Sequence, residues 1–209
     1  MPEELAMQMP VLKEVLDAMN IPRYELAGFE ADDLIGTISR KCEKEGWDCV
    51  VATGDKDSLQ LVTEHTTVKL ISSRMGQTTT KDMTPEAFFE SYGFAPAHIV
   101  DLKALMGDAS DNIPGVPGVG EKTAKTLLEK YGTAAAVYEH IDEITGRLKE
   151  KLLAGEENCR LSKTLATIET HADFAYDLDA MRLVMPFPAA LRNKFVELEF
   201  RLLLSLIHI

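Results

Sequence analysis

Three short acidic clusters carry the chemistry open to this chain. They are Glu30, Asp32 and Asp33 in GFEADDLIG, Asp55 and Asp57 in VVATGDKDSLQL, and Asp108 and Asp111 in ALMGDASDNIPG. Carboxylates grouped this way repel one another unless a positive charge sits among them. Hard divalent cations take oxygen ligands, and Mg²⁺ is held by a few carboxylates together with substrate phosphates. Two such ions can stabilise both the attacking and the leaving oxygen of a phosphodiester hydrolysis. The clusters therefore point to a metal-dependent nuclease. Taken singly, each has a plainer structural explanation. Glu30, Asp32 and Asp33 could complement a helix dipole, Asp55 and Asp57 could form a turn and cap, and Asp108 and Asp111 could do the same before Pro114. All three explanations would have to hold together for the metal reading to fail.

The elements that must position these acids follow from periodicity. Residues 3–19 space Leu5, Met9, Leu12, Leu16 and Met19 as a helix, ended by Asn20-Ile21-Pro22. Residues 23–26 make a short strand candidate. Residues 30–45 read as a second helix closed by Gly46, and DCVVAT (48–53) as a continuous apolar strand of a buried parallel sheet. Ligands bind beyond the carboxyl ends of such strands, where Asp55 and Asp57 stand. Residues 66–71 form another strand, and polar residues 72–80 read as a turn between strands. The order α, β, α, β, α, β up to about residue 81 predicts a parallel α/β sheet. Helices are then expected from Thr84-Pro85, over 96–106, 120–130 and 157–168. This gives an α/β part over 1–82 and a mainly helical part over 83–203.

A second informative segment is IPGVPGVGEKTAKTLLEKYG, residues 113–132. Gly115, Gly118 and Gly120 alternate with Val116, Pro117 and Val119 before a helix begins. Such a glycine-rich hairpin lets backbone amides approach a phosphate at a helix N-terminus. Lys122 and Lys125 add positive charge, and this geometry holds a nucleic-acid backbone without reading bases.

The 209 residues are 45% hydrophobic and 27% charged, an ordinary globular composition. No apolar run approaches a membrane span. The three cysteines form no CxxC pair, which argues against a disulfide framework or zinc site and for a reducing cytoplasm. The five histidines are scattered, with no HExxH, and read as surface or core residues. A net charge of −12 is unusual for a polyanion binder. Two divalent ions would return +4 and leave about −8. DNA contact must therefore be local, through amides, bound cations and a few lysines.

FEADDLIGT, ATGDKDSLQLV and LMGDASDNIPGVPGVGEKTA together closely resemble the 5′ nuclease family. That family takes in the 5′–3′ exonuclease domain of bacterial DNA polymerase I, stand-alone 5′–3′ exonucleases and flap endonucleases. The resemblance runs from about Met1 to Arg201. It implies a parallel-sheet (PIN-like) nuclease core followed by a helix–three-turn–helix module. It also implies two Mg²⁺ or Mn²⁺ ions, DNA with a 5′ flap, nick or RNA-primer junction as substrate, and a bacterial cytoplasmic setting. By that resemblance Glu30 and Asp32 are ligands of a first metal and Asp33 supports them. Asp55 lies between the ions, and Asp57, Asp108 and Asp111 serve the second. Gly115, Val116, Gly118, Val119 and Gly120 grip the DNA backbone, with K⁺ bridging hairpin carbonyls to a phosphate. Lys122 and Lys125 are accessory phosphate contacts.

The chain also departs from the family pattern. Members begin with a strand bearing an aspartate in a DGxx context, carry a second aspartate on a later strand, and then a basic helical arch. MPEEL opens after all three, so the resemblance implies an N-terminally truncated sequence. LSLIHI (204–209) matches nothing in the family and reads as a translated sequencing-adapter end, a non-native tail. Other readings stay open: an impaired chain that only binds DNA, a stand-alone exonuclease without a polymerase domain, or a ribonuclease of related sheet architecture, against which the glycine hairpin argues.

Overall fold

The computed structural model describes residues 2–206. Among them ten α-helices and three strands follow in the order α1 Glu3–Ala18, α2 Ala31–Lys44, β1 Cys49–Thr53, β2 Thr66–Arg74, β3 Gln77–Met83, α3 Pro85–Tyr92, α4 Ile99–Met106, α5 Glu121–Tyr131, α6 Ala134–Glu139, α7 Gly146–Ala154, α8 Glu156–Ala166, α9 Ala189–Glu197 and α10 Arg201–Leu206. They form two compact units: one of residues 28–172, the other of the described residues before 28 and after 172.

In the larger unit β1 pairs with β2 in parallel, Cys49 beside Thr66 and Thr53 beside Leu70. This is the expected parallel arrangement. β3 then runs antiparallel to β2, from Val68 opposite Met83 to Arg74 opposite Gln77. Residues 72–80 are thus mostly strand and not the expected turn. Their Ser and Thr side chains pair across the ladder, Ser72 with Thr79 at 2.9 Å and Ser73 with Thr78 at 3.0 Å. The turn is only Met75-Gly76, both at positive φ, as a two-residue hairpin turn requires.

One apolar core runs from the sheet into the helices. Leu59, Val68, Phe88, Leu105, Val116, Leu128 and Leu152 are all 2% exposed or less. Burying each such side chain contributes about 1.5–3 kcal/mol. α4 packs against α8, and the core surrounds it so closely that Asp101 and Lys103 are buried with it. Asp101 is neutralised by Lys163 of α8 at 2.7 Å and accepts the Ala134 amide at 3.1 Å, which ties α4, α6 and α8 together.

In the smaller unit α1 packs on α9, with Leu191 and Phe195 buried, and Glu14 pairs with Lys194 at 2.5 Å. Residues 23–26 are not the expected strand. They have no ladder partner, and Arg23 instead holds both Asp17 oxygens, at 3.0 and 2.9 Å. Of the tail expected to be non-native, residues 204–206 end α10 and 207–209 lie outside the described residues. His208, grouped above with the surface or core histidines, lies outside them too.

Candidate metal and nucleic-acid site

All seven acids lie in the larger unit and line two adjoining cavities. One, of about 650 Å³, is lined by Asp55, Asp57, Asp108 and Asp111. The other, of about 550 Å³, is lined by Glu30, Asp32, Asp33, Asp57 and Asp111. Asp57 and Asp111 belong to both, so the carboxylates share one open trough.

The tightest group is Asp57, Asp108 and Asp111, whose carboxylate oxygens lie within 4.8 Å of one another. Asp57 opens the 3-10 turn Asp57–Leu61 that follows β1 and Gly54. Its amide donates to Asp55 Oδ1 at 2.9 Å, and the Asp55 amide donates to Thr53 Oγ1 at 3.0 Å. The turn expected from GDKD is therefore present, and it aims Asp57 inward. Asp108 and Asp111 sit on the loop after α4. The loop is pinched shut by the Asp108–Ile113 bridge, at 2.9 and 2.8 Å, and Asn112 turns at φ 57°. Asp108 also accepts the Ser110 amide at 3.0 Å.

Lys103 stands in the middle of this group. Its Nζ binds Asp57 directly, reaches Asp108 at 2.8 Å and lies 3.6 Å from Asp111. The charges respond accordingly. Lys103 donates to Asp108 and, with help from Ser110, holds that carboxyl down to about 2. Burial pushes Asp57 upward, which Lys103 offsets and the Asp55 and Asp111 charges reinforce. Burial opposes the Lys103 charge, but Asp108 and Asp57 outweigh it and raise the ammonium.

The Glu30, Asp32 and Asp33 cluster begins α2 and has no such cation among the described residues. Asp33 is fully used as a fastener. One oxygen accepts the Glu30 amide at 3.1 Å and the other the Glu169 amide at 2.8 Å. Asp32 and Asp33 do stand in the first turn of α2, as the helix-dipole explanation expects, and Asp33 also caps that helix. Asp32 is half-buried, and burial, then the Asp33 and Glu30 charges, raise it above the usual carboxylate range. Residues 166–172 strap this cluster to the Asp57 turn. Gln60 bonds the Ala166 carbonyl and the Ile168 amide, each at 3.0 Å, and the Ala172 amide donates to Thr37 at 3.0 Å.

The glycine hairpin divides into anchors and exposed amides. Val116 and Val119 are buried at 2% and 4%, and their amides are spent on Leu105 and Val116 carbonyls. The Gly115 amide goes to Ser162 Oγ at 2.9 Å. A Cβ on Gly115 would lie 2.2 Å from the Gly107 nitrogen, so glycine here permits close packing of two loops. Among the described residues the Gly118 and Gly120 amides have no internal acceptor. Lys122 is exposed and has no ion-pair partner among the described residues, whereas Lys125 is held by Glu121 at 2.8 Å and lies over the Tyr92 ring.

Sequence reasoning passed over Lys103 and Lys151. The second donates to the Gly118 carbonyl at 2.9 Å. A signal for Lys103 was present: in the run IVDLKALM only Asp101 and Lys103 are charged, and a lysine there must find carboxylates if that helix is buried.

Residues 1–93 match the family described as "5'-3' exonuclease, N-terminal resolvase-like domain". Residues 94–188 match "5'-3' exonuclease, C-terminal SAM fold". DNA polymerase I of Bacillus subtilis is 51% identical over 82% of this chain and 19% of its own length. DNA polymerase I of Streptococcus pneumoniae is 44% identical over 96% of the chain and 23% of its own length. The chain thus spans about a fifth of these curated relatives. In structure it resembles T5 5′-exonuclease with bound zinc ions, at a TM-score of 0.63 and 23% identity, over 94% of this chain and 70% of that one. It likewise resembles a T5 flap endonuclease complex with DNA and metal ions, at a TM-score of 0.62 and 22% identity, with the same coverage. At these identities the likeness concerns the fold.

Proposed function

The chain belongs to the 5′–3′ exonuclease family, and we propose that it is a structure-dependent 5′–3′ nuclease module that hydrolyses DNA phosphodiester bonds with two divalent ions. The observation that carries the proposal is the convergence of Asp57, Asp108 and Asp111 within 4.8 Å, in a trough shared with four more acids. An all-oxygen donor set of this kind suits Mg²⁺ or Mn²⁺. That a lysine ammonium is drawn into the same place is independent support for a cation position there.

When bound, the ions supply an activated water and a counter-charge for the leaving oxygen. Asp57, Asp108 and Asp111 would hold one ion; Glu30, Asp32 and Asp55 would hold the other. Asp33 keeps α2 and the 166–172 strap in register. The exposed Gly118 and Gly120 amides and Lys122 would hold the phosphates of a duplex passing over the start of α5. The hairpin carbonyls would hold a K⁺ ion, and the Gly118 carbonyl already accepts from Lys151. The substrates in this reading are 5′ flaps, nicks and RNA-primer junctions. A polymerase domain on the same full-length chain would fit the length of the relatives, and the bacterial cytoplasm is the setting.

Cleavage of a labelled 5′-flap duplex tests this. Metal-dependent release of the 5′ end is expected, and Asp108→Asn/Asp111→Asn should lower its rate by about 10³-fold or more. Equal cutting by wild type and variant would end the proposal. No cutting by either, with duplex binding that Gly118→Val weakens, would favour a second reading in which this chain is the DNA-holding part.

A further inference from the structure

We propose that Lys103 is a built-in counter-ion that a divalent metal must displace from the Asp57/Asp108/Asp111 group, so that this lysine sets how tightly that position takes metal. The inference rests on the metal reading above and deepens it.

The three carboxylates need a positive charge between them whether or not metal is bound. Lys103 supplies it, with all three within ion-pair reach of one ammonium. The placement is built and not incidental. Lys103 is 9% exposed, rises from the buried helix α4, and shares its cavity wall with Tyr92, Ile99, Leu102 and Met106. The nearest acids therefore fix the position of its charge, and bulk water screens it little.

A divalent ion at the same carboxylates would stand only a few ångströms from that ammonium. Like charges at such a distance in a partly buried site repel strongly. The two cations therefore compete for one set of oxygens. Three carboxylates against one ammonium still leave a net charge of −2, enough to attract a divalent ion. The flexible four-carbon stem of lysine allows its charge to move aside. No comparable cation stands among Glu30, Asp32 and Asp33 within the described residues. The two metal positions should therefore fill unequally.

The test is direct Mn²⁺ binding by calorimetry to the whole chain and to Lys103→Met. The variant keeps the stem and loses the charge. It should bind Mn²⁺ more tightly at one position, on the order of 10–100-fold, the range usual for groups that act on a metal from outside its ligand set. Its metal-free melting temperature should fall, and the rise on adding Mn²⁺ should grow. Unchanged or weaker Mn²⁺ binding by a folded Lys103→Met chain overturns the inference while leaving the metal reading intact. Absence of Mn²⁺ binding in both proteins overturns both. Should the variant not fold, the wild-type chain decides. Acetylation of Lys103 by an acylating reagent, read by mass spectrometry against the other lysines, should rise severalfold on adding Mn²⁺. A constant or reduced labelling overturns the inference.

Discussion

The two acidic halves of the trough solve the same electrostatic problem in opposite ways. Around Asp57, Asp108 and Asp111 a buried lysine balances the charge from within. Around Glu30, Asp32 and Asp33 the charge meets backbone amides instead, those of Glu30 and Glu169 on Asp33 and those of the first turn of α2 on Asp32. The Asp108 carboxyl is accordingly held down to about 2, while Asp32 is pushed upward. A cluster of carboxylates is thus not one kind of object. One half is stabilised in the free protein, and the other is held in tension by the fold around it.

The largest expected effect breaks the frame of the first half. Gly115 lies against the backbone of Gly107, the residue before Asp108, and turns at φ 60°. Gly115→Ala would press a methyl group onto that backbone and strain its own conformation. A loss of about 3 kcal/mol or more in urea unfolding is expected. Gly120→Ala meets nothing within 4 Å and sits at a φ of −101°, so it should unfold like wild type. Equal losses at the two glycines would show that the Gly107 contact does not hold the loop.

The next effect sharpens the contrast directly. Asp108→Asn removes a carboxylate from Lys103 and should cost about 1–3 kcal/mol in the metal-free chain. Asp32→Asn relieves repulsion and should stabilise it, by up to about 1 kcal/mol. The pH dependence has the matching sign. Asp108 has a depressed folded value, so its contribution is present above the unfolded value near 3.8 and fades as pH falls toward 2. The penalty at Asp32 is absent at low pH, sets in as pH rises past the unfolded value near 3.8 and is complete above its elevated folded value. The wild type–Asp108→Asn difference should therefore shrink between about pH 4 and 2. Melting curves over that range check it, and a difference that persists at pH 2 would assign the stability to something other than the ion pair.

How much of this was legible in the sequence follows the same division. The acids and the glycine hairpin could be named because their types and spacing are local. So could β1, whose apolar run needs no partner to be seen. The 72–80 hairpin was missed because Ser and Thr pair through cross-strand hydroxyls, which look like loop polarity in a linear reading. Residues 23–26 look like a strand by residue type alone, yet a strand requires a neighbour. Val116 and Val119 stand in the hairpin motif but serve as its buried anchors. Lys103 was hidden for a different reason. Its partners come from 46 residues before and from the loop after its own helix, so its role exists only once α4 is buried.

The smallest effect probes whether Asp33 belongs with the charges or with the scaffold. Both its oxygens accept amides, one within its own helix cap and one from residue 169 across the strap. Asparagine keeps a single acceptor oxygen, so Asp33→Asn can preserve one of those bonds and must give up the other. The loss should be about 0.5–1.5 kcal/mol in urea unfolding, the usual net worth of one such bond. It should also be insensitive to salt, because a fastener acts through direct hydrogen bonds. Relief of repulsion toward Asp32 works the other way and is screened at high ionic strength. A variant that is stabilised at low salt and neutral at high salt would therefore move Asp33 from the scaffold to the charged half of the trough. A small constant loss at both salt concentrations keeps it as the post on which Glu30 and Asp32 are mounted.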